Sequence, residues 1–552
     1  MEIHLTRHGH TYHRKEESMR TCVAGLCIVF LFCFTAINLE AKTHKPVKNV
    51  IILIPDGTGI THMTLSRWYN GGAPLAMDEL ICGLVRTYSS DAAIADSAPS
   101  SSSYATGYKS QTGNIAVMPQ VATMFGLTSS DTDAQHQPLA TVLEGARLSG
   151  RSVGLVATCQ FPHATPADFS AHHFNRGAVE YIVEQQVYGM LDVVFAGGYN
   201  YLLPEKRKDK EDMLAVLQNN GYSVVRTRDE LLTLSRPKVW GLFAPVALAY
   251  DLDRPNNEPT LEEMTHKAIE LLSKNNTGFF LMVEGSKIDW ASHANDPIGV
   301  ISDFLAFDRA VKTALEFAKK DGNTVVIVLP DHSNGGMSIG NIGSNGNYDE
   351  LPLSAYIDPL KKATRTAEGV ERLAYEKNIP MTDAIAQYYG ISDLSEAELT
   401  DLKKAEKGDL PYIVGPMLSK RAYIGWTTNG HTGEEVFFGA YHPKGYRPTG
   451  VIQNKDVAWY MAEVMGIDLK SLTRSLYIPA ETAFTSVGAT IHVDSTDEYN
   501  PVLVVKKNML EIRFPANKNI ALIDGKTIVL KTLVVHNGKG FYVPEEAVKL
   551  FK

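Results

Sequence analysis

The chain has 552 residues, of which 44% are hydrophobic and 21% are charged, and its formal net charge at pH 7 is −9. This composition is typical of a globular protein and excludes a chain that is disordered throughout. The acidic balance excludes a broad basic surface, so we expect no nucleic acid as a binding partner.

An apolar run near the start of the sequence is typical of an export signal. Residues 19–42 place Arg20 before a run of mostly hydrophobic side chains that extends from Cys22 to Ile37. A basic residue before a short apolar core is the pattern of a secretory signal peptide. We therefore expect a periplasmic or secreted protein that keeps no stable membrane insertion once the signal is removed. Because the run is slightly long for a signal peptide, an uncleaved N-terminal anchor is the alternative.

Residues 1–18 precede this segment, and we interpret them as an upstream extension that is not native, with Met19 as the functional start. Within them, Arg7, His8 and Gly9 resemble the nucleophile motif of the histidine phosphatases. That chemistry needs a whole domain around the histidine, whereas here the apolar segment follows within a few residues. The similarity therefore predicts no activity.

The cysteines divide between two parts of the chain. Three of the five lie in the apolar segment, which leaves Cys82 and Cys159 for the mature protein. An oxidising compartment permits a disulfide between these two, but the sequence leaves open whether they lie close enough to pair.

Runs rich in Val and Ile alternate with amphipathic stretches after residue 45, which indicates an α/β fold: a mostly parallel sheet with helices on both faces. The clearest strand candidates are 49–59, 152–160, 279–290 and 324–336. Polar side chains follow or end each of them: Asp56, His163, Thr165, Glu284, Asp289, Asp331 and His332. Ligands bind at the carboxyl ends of strands in open α/β sheets, so we expect these side chains to meet at one edge.

The pattern changes twice in the second half of the chain. Residues 338–425 contain a Gly/Asn-rich stretch and then a charged stretch with a helical pattern, and we interpret them as an insertion or lid. Residues 482–552 contain short strand-like runs separated by turn signals. We expect a small accessory domain there, of β or α+β type.

Histidines and carboxylates at metal-ligand spacing recur along the chain. Asp289 and His293 are four residues apart, so a helix that begins near Asp289 places both on one face, where they can share a zinc ion. Each such pair is a weak signal alone, but together they supply oxygen and nitrogen ligands for two ions. The full set is Asp56, Asp289, His293, Asp331, His332 and His431. Two neighbouring ions can stabilise the attacking and leaving oxygens of a phosphoryl transfer.

A serine-rich stretch, ADSAPSSSSYATGYKS at residues 95–110, offers a candidate nucleophile. Ser97 precedes Pro99 and a run that can begin a helix, whose N-terminal amides favour anions. The chain has no obvious Ser-His-Asp order, so metal coordination would have to activate the serine.

Residues from about 46 to 480 resemble the alkaline phosphatases through several motifs in the family's order. These are PDGTG, ADSAPSSSSYATGYKS, HATPADFSAHHFNR, VEGSKIDWASHAND, PDHSNGG and HTGEE. The resemblance implies a catalytic domain at 45–481 with a crown-type insertion at 338–425. It also implies a homodimer that hydrolyses small-molecule phosphate monoesters.

The resemblance also implies site roles. Ser97 would be the nucleophile that forms a phosphoserine, and Arg176 would bind the substrate phosphate. Two Zn²⁺ ions and one Mg²⁺ ion would be held by three groups of residues: Asp289, His293 and His431; Asp56, Asp331 and His332 with the Ser97 oxygen; and Asp56, Thr165 and Glu284.

Two positions depart from the enterobacterial type of the family. His163 replaces an aspartate near the magnesium site, and Trp290 stands where that type has a lysine. We place both beside the substrate. Trp290 cannot supply a positive charge to phosphate. The two departures therefore leave open which residues surround the magnesium ion and how tightly the substrate binds.

The sequence leaves three other functions open. SAPSS from Ser97 resembles the Ser-x-Pro-x-Arg motif of the sulfatases, but Ser101 occupies the arginine position. A phosphodiesterase or phosphonate hydrolase would use the same two-metal core. A secreted binding protein stabilised by metal ions would have no need of Ser97 or Arg176 beside its ligands.

Overall fold

A computed structural model describes residues 46–128 and 134–552 of the chain. The predicted signal peptide and the predicted upstream extension lie outside these residues. Within the two described ranges, no helix combines the length and the apolar character that crossing a bilayer requires.

The strands, β1 to β21 in chain order, are Asn49–Pro55, Ile81–Arg86, Ser152–Gln160, Val193–Gly197, Ser223–Val225, Val239–Leu242, Phe279–Gly285, Thr324–Val328, Ser333–Asn334, Ser338–Ile339, Ile424–Gly425, His431–Thr432, Val436–Tyr441, Gly450–Gln453, Ile478–Pro479, Thr490–Asp494, Val502–Lys507, Leu510–Pro515, Lys518–Ile523, Lys526–His536 and Phe541–Val543. The α-helices, α1 to α19, are Ile60–Tyr69, Ser97–Thr106, Val142–Leu148, Ala164–Asp168, Val179–Tyr188, Met213–Asn219, Arg228–Thr233, Leu261–Leu272, Lys287–His293, Pro297–Asp321, Leu353–Lys361, Ala367–Lys377, Met381–Ala384, Glu396–Lys404, Leu410–Arg421, Asn454–Met465, Leu469–Leu476, Ala480–Thr485 and Glu545–Lys549.

Ten strands form the central sheet, in the order β14-β2-β13-β8-β1-β7-β3-β4-β6-β5. Neighbouring strands are parallel except at β13, which runs antiparallel to both β2 and β8. The predicted α/β fold with a mostly parallel sheet is therefore confirmed. The predicted strand runs around residues 49, 152, 279 and 324 are β1, β3, β7 and β8, and they are contiguous in the middle of the sheet.

The core divides between the two faces of this sheet. Along β1, Val50, Ile52 and Ile54 pack on one face, and Ile51 and Leu53 pack on the other, because successive side chains of a strand point in opposite directions. Helices α3 and α16 cover the first face, and α8 and α10 cover the second. Since both faces of the sheet are buried, the side chains of β1 from Val50 to Pro55 are all apolar.

The predicted insertion leaves the sheet through a short strand pair. In it, Ser338 pairs with Gly425 and Ile339 with Ile424, so the two ends of the intervening segment lie side by side. Helices α11 to α15 lie between them and share a core that includes Val370, Tyr389 and Val414. This core also includes residues of α1 and α10, so the insertion packs directly against the catalytic layers.

The C-terminal strands form a second, antiparallel sheet in the order β15-β21-β20-β19-β18-β17-β16. Helix α18 packs on it through Phe484 and helix α19 through Ala547 and Val548, and Phe551, just after α19, meets the Phe484 ring. The sheet contacts α5 of the main layer, where the Lys518 ammonium lies 3.4 Å from the Glu184 carboxylate.

The two cysteines of the described chain are both free. Cys82 lies on β2 and Cys159 on β3, and these strands are five positions apart in the sheet. At about 4.8 Å per strand, their separation is roughly 20 Å or more, far beyond the reach of a disulfide. Cys82 and Cys159 therefore do not form a disulfide with each other, and the Cys159 thiol is available for another role.

Candidate metal centre

Asp56, Asp331 and His332 meet at the carboxyl ends of β1 and β8, and all three are fully buried. Their ligand atoms lie within 4.8 Å of one another. His332 Nε2 is 3.1 Å from Asp331 Oδ2 and 3.8 Å from Asp56 Oδ1. The backbone N–H of Gly57 donates to Asp331 Oδ1 at 3.0 Å, which fixes one oxygen and leaves the other directed at His332.

Asp289, His293 and His431 form a second group whose ligand atoms also lie within 4.8 Å of one another. Helix α9 begins at Lys287, so Asp289 and His293 fall one turn apart, as their spacing predicts. His431 arrives on β12, which pairs with β9 immediately after His332. Asp289 Oδ2 lies 3.3 Å from His293 Nε2, and Asp289 Oδ1 lies 3.6 Å from His431 Nε2.

Backbone carbonyls orient both histidines of this second group. His293 Nδ1 lies 2.6 Å from the Asn429 carbonyl, and His431 Nδ1 lies 2.9 Å from the Ala95 carbonyl. A carbonyl oxygen only accepts, so each Nδ1 carries a proton, which leaves each Nε2, on the side of Asp289, as the atom that can bind a metal ion. This is the arrangement that histidine ligands of metal ions use.

The two groups are adjacent. The rings of His332 and His431 stack with their centroids 3.6 Å apart. Gly57 has φ +65°, and a Cβ at this position would lie 2.4 Å from Asp289 Oδ1. Only glycine therefore lets the turn after β1 approach the second group so closely.

Ser97 is the first residue of helix α2 and is almost fully buried. Its Oγ lies 3.2 Å from His332 Nε2, at the edge of the first group. The neighbouring serines are engaged elsewhere: Ser101 Oγ donates to Thr165 Oγ1, Ser102 Oγ to Asp168, and Ser103 Oγ to the Pro99 carbonyl. The prediction of a helix that begins at this stretch is confirmed.

Arg176 approaches the same helix N-terminus from the loop after α4. Its Nη1 donates to both oxygens of Asp96, at 2.7 and 2.6 Å, and Asp96 immediately precedes Ser97. Its Nη2 lies 3.3 Å from His163 Nε2. About a quarter of the Arg176 side chain is exposed, so a ligand from solvent can reach it.

A third group contains Cys159, His163 and Glu284. Cys159 Sγ lies 3.4 Å from Glu284 Oε2, and His163 adjoins the ring of Trp290 with centroids 6.1 Å apart. Thr165, also predicted here, is fully buried on α4. The sequence reasoning missed Cys159 because it treated this residue only as a disulfide candidate. Its position at the carboxyl end of β3, four residues before His163, was the available signal.

Positive charge would stabilise the buried carboxylates of this cluster. Burial, followed by repulsion from Asp331 and Asp289, raises the pKa of Asp56 well above its usual range. Within the described chain, neither Asp56 oxygen has a hydrogen-bond partner, and Glu284 Oε1 has none. Buried carboxylates without partners are costly unless a cation compensates them. The donor sets therefore fit metal ions: oxygen and nitrogen in the first two groups, with a thiol added in the third.

Comparison with known proteins decides the family. The family model described as alkaline phosphatase matches residues 47–467. The chain belongs to the alkaline phosphatase family. Alkaline phosphatase 4 of Bacillus subtilis is 36% identical over 440 residues, which cover 76% of this chain and 89% of that protein.

Solved alkaline phosphatases share the fold. The Thermus thermophilus alkaline phosphatase is 26% identical, with a TM-score of 0.68 over 77% of this chain and 93% of that one. A histidine-to-glutamate variant of the alkaline phosphatase from the Antarctic bacterium TAB5, described with Mg bound in its M3 site, is 28% identical. Its TM-score is 0.54 over 77% of this chain and 99% of that one. The family match ends before β15, so the antiparallel C-terminal sheet lies beyond it.

Proposed function

We propose that this alkaline phosphatase hydrolyses phosphate monoesters to an alcohol and inorganic phosphate through a phosphoserine on Ser97. The observation that carries the proposal is the 3.2 Å contact between Ser97 Oγ and His332 Nε2. A serine hydroxyl is a poor nucleophile unless a base or a metal ion lowers its proton affinity. Among the serines of α2 whose contacts are described above, only Ser97 contacts a member of the two histidine-containing groups proposed to bind zinc.

The reaction has two displacements. Ser97 Oγ attacks phosphorus and the P–O bond to the alcohol breaks; water then attacks the phosphoserine and the P–O bond to Ser97 breaks. Arg176 would hold two phosphate oxygens with its planar fork, and its hydrogen bonds to Asp96, the residue before Ser97, support this role. The amides at the start of α2 favour the same anion.

We assign two zinc ions and one magnesium ion to the centre. The zinc ligands are Asp289, His293 and His431 for one ion, and Asp56, Asp331 and His332 with Ser97 for the other. The magnesium ligands are Asp56, Thr165 and Glu284. When bound, the ions would stabilise the negative charge of the attacking oxygen, the leaving oxygen and the phosphate.

We also propose that the protein is exported and that it forms a homodimer. Export is supported by the signal-like pattern of residues 19–42. The homodimer rests on the family resemblance.

Substrate class is tested by comparing p-nitrophenyl phosphate, bis(p-nitrophenyl) phosphate and p-nitrophenyl sulfate at alkaline pH. We expect zinc-dependent hydrolysis of the monoester to exceed that of the other two by orders of magnitude. Preference for the diester would indicate a phosphodiesterase on the same metal core, and preference for the sulfate would indicate a sulfatase. No turnover of any of the three with zinc bound would favour the metal-stabilised binding protein.

Replacing Trp290 by lysine should tighten the binding of inorganic phosphate and slow product release. The new ammonium would offer a charge-assisted hydrogen bond to phosphate, which corresponds to roughly tenfold tighter inhibition. The measurement is the inhibition constant of phosphate together with kcat for the monoester. Trp290→Leu, which removes the ring without adding charge, is the control; unchanged inhibition in Trp290→Lys would contradict the placement of residue 290 beside the substrate.

A further inference from the structure

Lys287 is a buried cation held between two aromatic rings. Only 3% of its side chain is exposed. Its Nζ lies 4.0 Å from the ring centroid of Trp290 and 4.4 Å from that of Tyr250. The Glu368 carboxylate lies 3.9 Å away, longer than a hydrogen bond, and half of it is exposed. Glu368 is thus the nearest charged partner, in a long ion pair, and the π faces of the two rings lie at a similar distance from the ammonium. Three further carboxylates attract the same charge from farther away, those of Asp303, Glu258 and Asp253.

The local sequence explains how the ammonium reaches Trp290. In α9, which reads KIDWASH, Lys287 and Trp290 are three residues apart and lie on one face of the helix. Asp289 and His293, four apart, lie on another face, where they meet His431. One short helix thus presents metal-ligating side chains on one side and a stacked cation and indole on the other.

A series of contacts connects this stack to the phosphate site. The Trp290 ring meets the His163 ring at an angle of 67°, with centroids 6.1 Å apart. His163 Nε2 lies 3.3 Å from Arg176 Nη2. Arg176 is the side chain that the proposed function assigns to phosphate. A shift of Trp290 would therefore reach Arg176 through a single intervening residue.

We propose that Lys287 is a positioning residue for phosphate binding: its cation–π contact fixes the Trp290 ring, and through that ring it fixes His163 and Arg176. This inference rests on the proposed role of Arg176.

The first test compares Lys287→Met with Lys287→Arg. Methionine keeps much of the side-chain volume without the charge, and we expect inhibition by inorganic phosphate to weaken about fivefold, the size of a partly desolvated cation–π contact. KM for p-nitrophenyl phosphate should rise by a similar factor, with kcat within about twofold of wild type. Arginine stacks on indoles and keeps the charge, so Lys287→Arg should retain phosphate inhibition within about twofold of wild type.

Lys267→Met is the matched control, because Lys267 is another largely buried lysine whose ammonium pairs with Glu270 on α8, outside the candidate site. It should leave phosphate inhibition unchanged. Equal weakening in Lys267→Met and Lys287→Met would mean that loss of a buried lysine acts through stability alone, and would overturn the inference. If Lys287→Met does not fold, as judged by circular dichroism and zinc content, Lys287→Gln takes its place.

A double-mutant cycle decides whether Lys287 acts through Trp290. Trp290→Leu, Lys287→Met and their combination are compared by calorimetric binding of inorganic phosphate, and we expect the double variant to lose little more affinity than Trp290→Leu. Strictly additive losses, or wild-type affinity in Lys287→Met, would overturn the proposal.

Phosphate binding can be measured without turnover, so this test is independent of the proposed hydrolysis. An enzyme that hydrolyses monoesters but is indifferent to Lys287 refutes this inference alone, whereas a chain that binds phosphate through Lys287 without hydrolysing monoesters refutes the proposed function alone.

Discussion

Replacing Ser97 by alanine should lower the turnover of p-nitrophenyl phosphate by about a thousandfold or more, because the first displacement loses its nucleophile. The zinc content should stay close to that of wild type, since Asp56, Asp331 and His332 remain. The measurement is kcat for the zinc-loaded variant beside the metal content of the same sample. A loss of both activity and zinc would locate the effect in the metal site and not in the nucleophile.

Ser100→Ala is the matched control for this experiment. Ser100 lies on the same helix and is equally buried, and its hydroxyl has no hydrogen-bond partner among the described residues. It should keep activity within about twofold of wild type. Acid quenching of the wild type with substrate should trap phosphate on the peptide that contains Ser97. Full activity in Ser97→Ala, or phosphate trapped on another residue, would refute the phosphoserine route while leaving the metal cluster intact.

The sequence was most informative where the chain passes from a buried strand to a polar residue. Asp56, Glu284 and Asp331 each follow an apolar run that is typical of a central strand, and parallel strands bring their carboxyl ends to one edge. The four-residue spacing of Asp289 and His293 required only that a helix form between them. These features depend on local periodicity, and for that reason they could be predicted before the structure was known.

Contacts made across the sheet could not be predicted from local patterns. Cys159 meets Glu284 because β3 and β7 are neighbours, and strand order is not encoded in either strand alone. The cation–π stack of Lys287 depends in the same way on Tyr250, a residue in a loop far away in sequence. The resemblance to a family implied a role for Arg176, but only the structure shows that its guanidinium is hydrogen-bonded to Asp96, the residue before Ser97.

Removing the metal ions with a chelator should abolish turnover and lower the thermal midpoint by roughly 10 °C, and zinc with magnesium should restore both. A ligand at about a thousand times its dissociation constant contributes about 4 kcal/mol, and each kcal/mol shifts the midpoint of a large domain by about 2–4 °C. The structural reason is the number of carboxylates that are buried together at the ends of β1, β7 and β8. Unchanged stability after verified loss of zinc would contradict the assignment of these groups as ligands.

The metal-free protein should also have a distinctive pH dependence. Burial, and then repulsion from Asp331, raises the pKa of Glu284 from its ordinary 4.5 to about 7. Between these two values the folded metal-free chain holds a proton on Glu284 that the unfolded chain releases, so the free energy of unfolding falls as pH rises through this interval. In the metal-loaded protein a cation replaces the proton, and the fall in the free energy of unfolding should disappear.

Thermal melts of the metal-free and metal-loaded forms across this pH range test the difference. Glu284→Gln is the matched control, because an amide of the same size cannot titrate. A metal-free midpoint that rises with pH, or a fall of the same size in Glu284→Gln, would show that the carboxylate of Glu284 is not held in the environment that a metal ion would relieve.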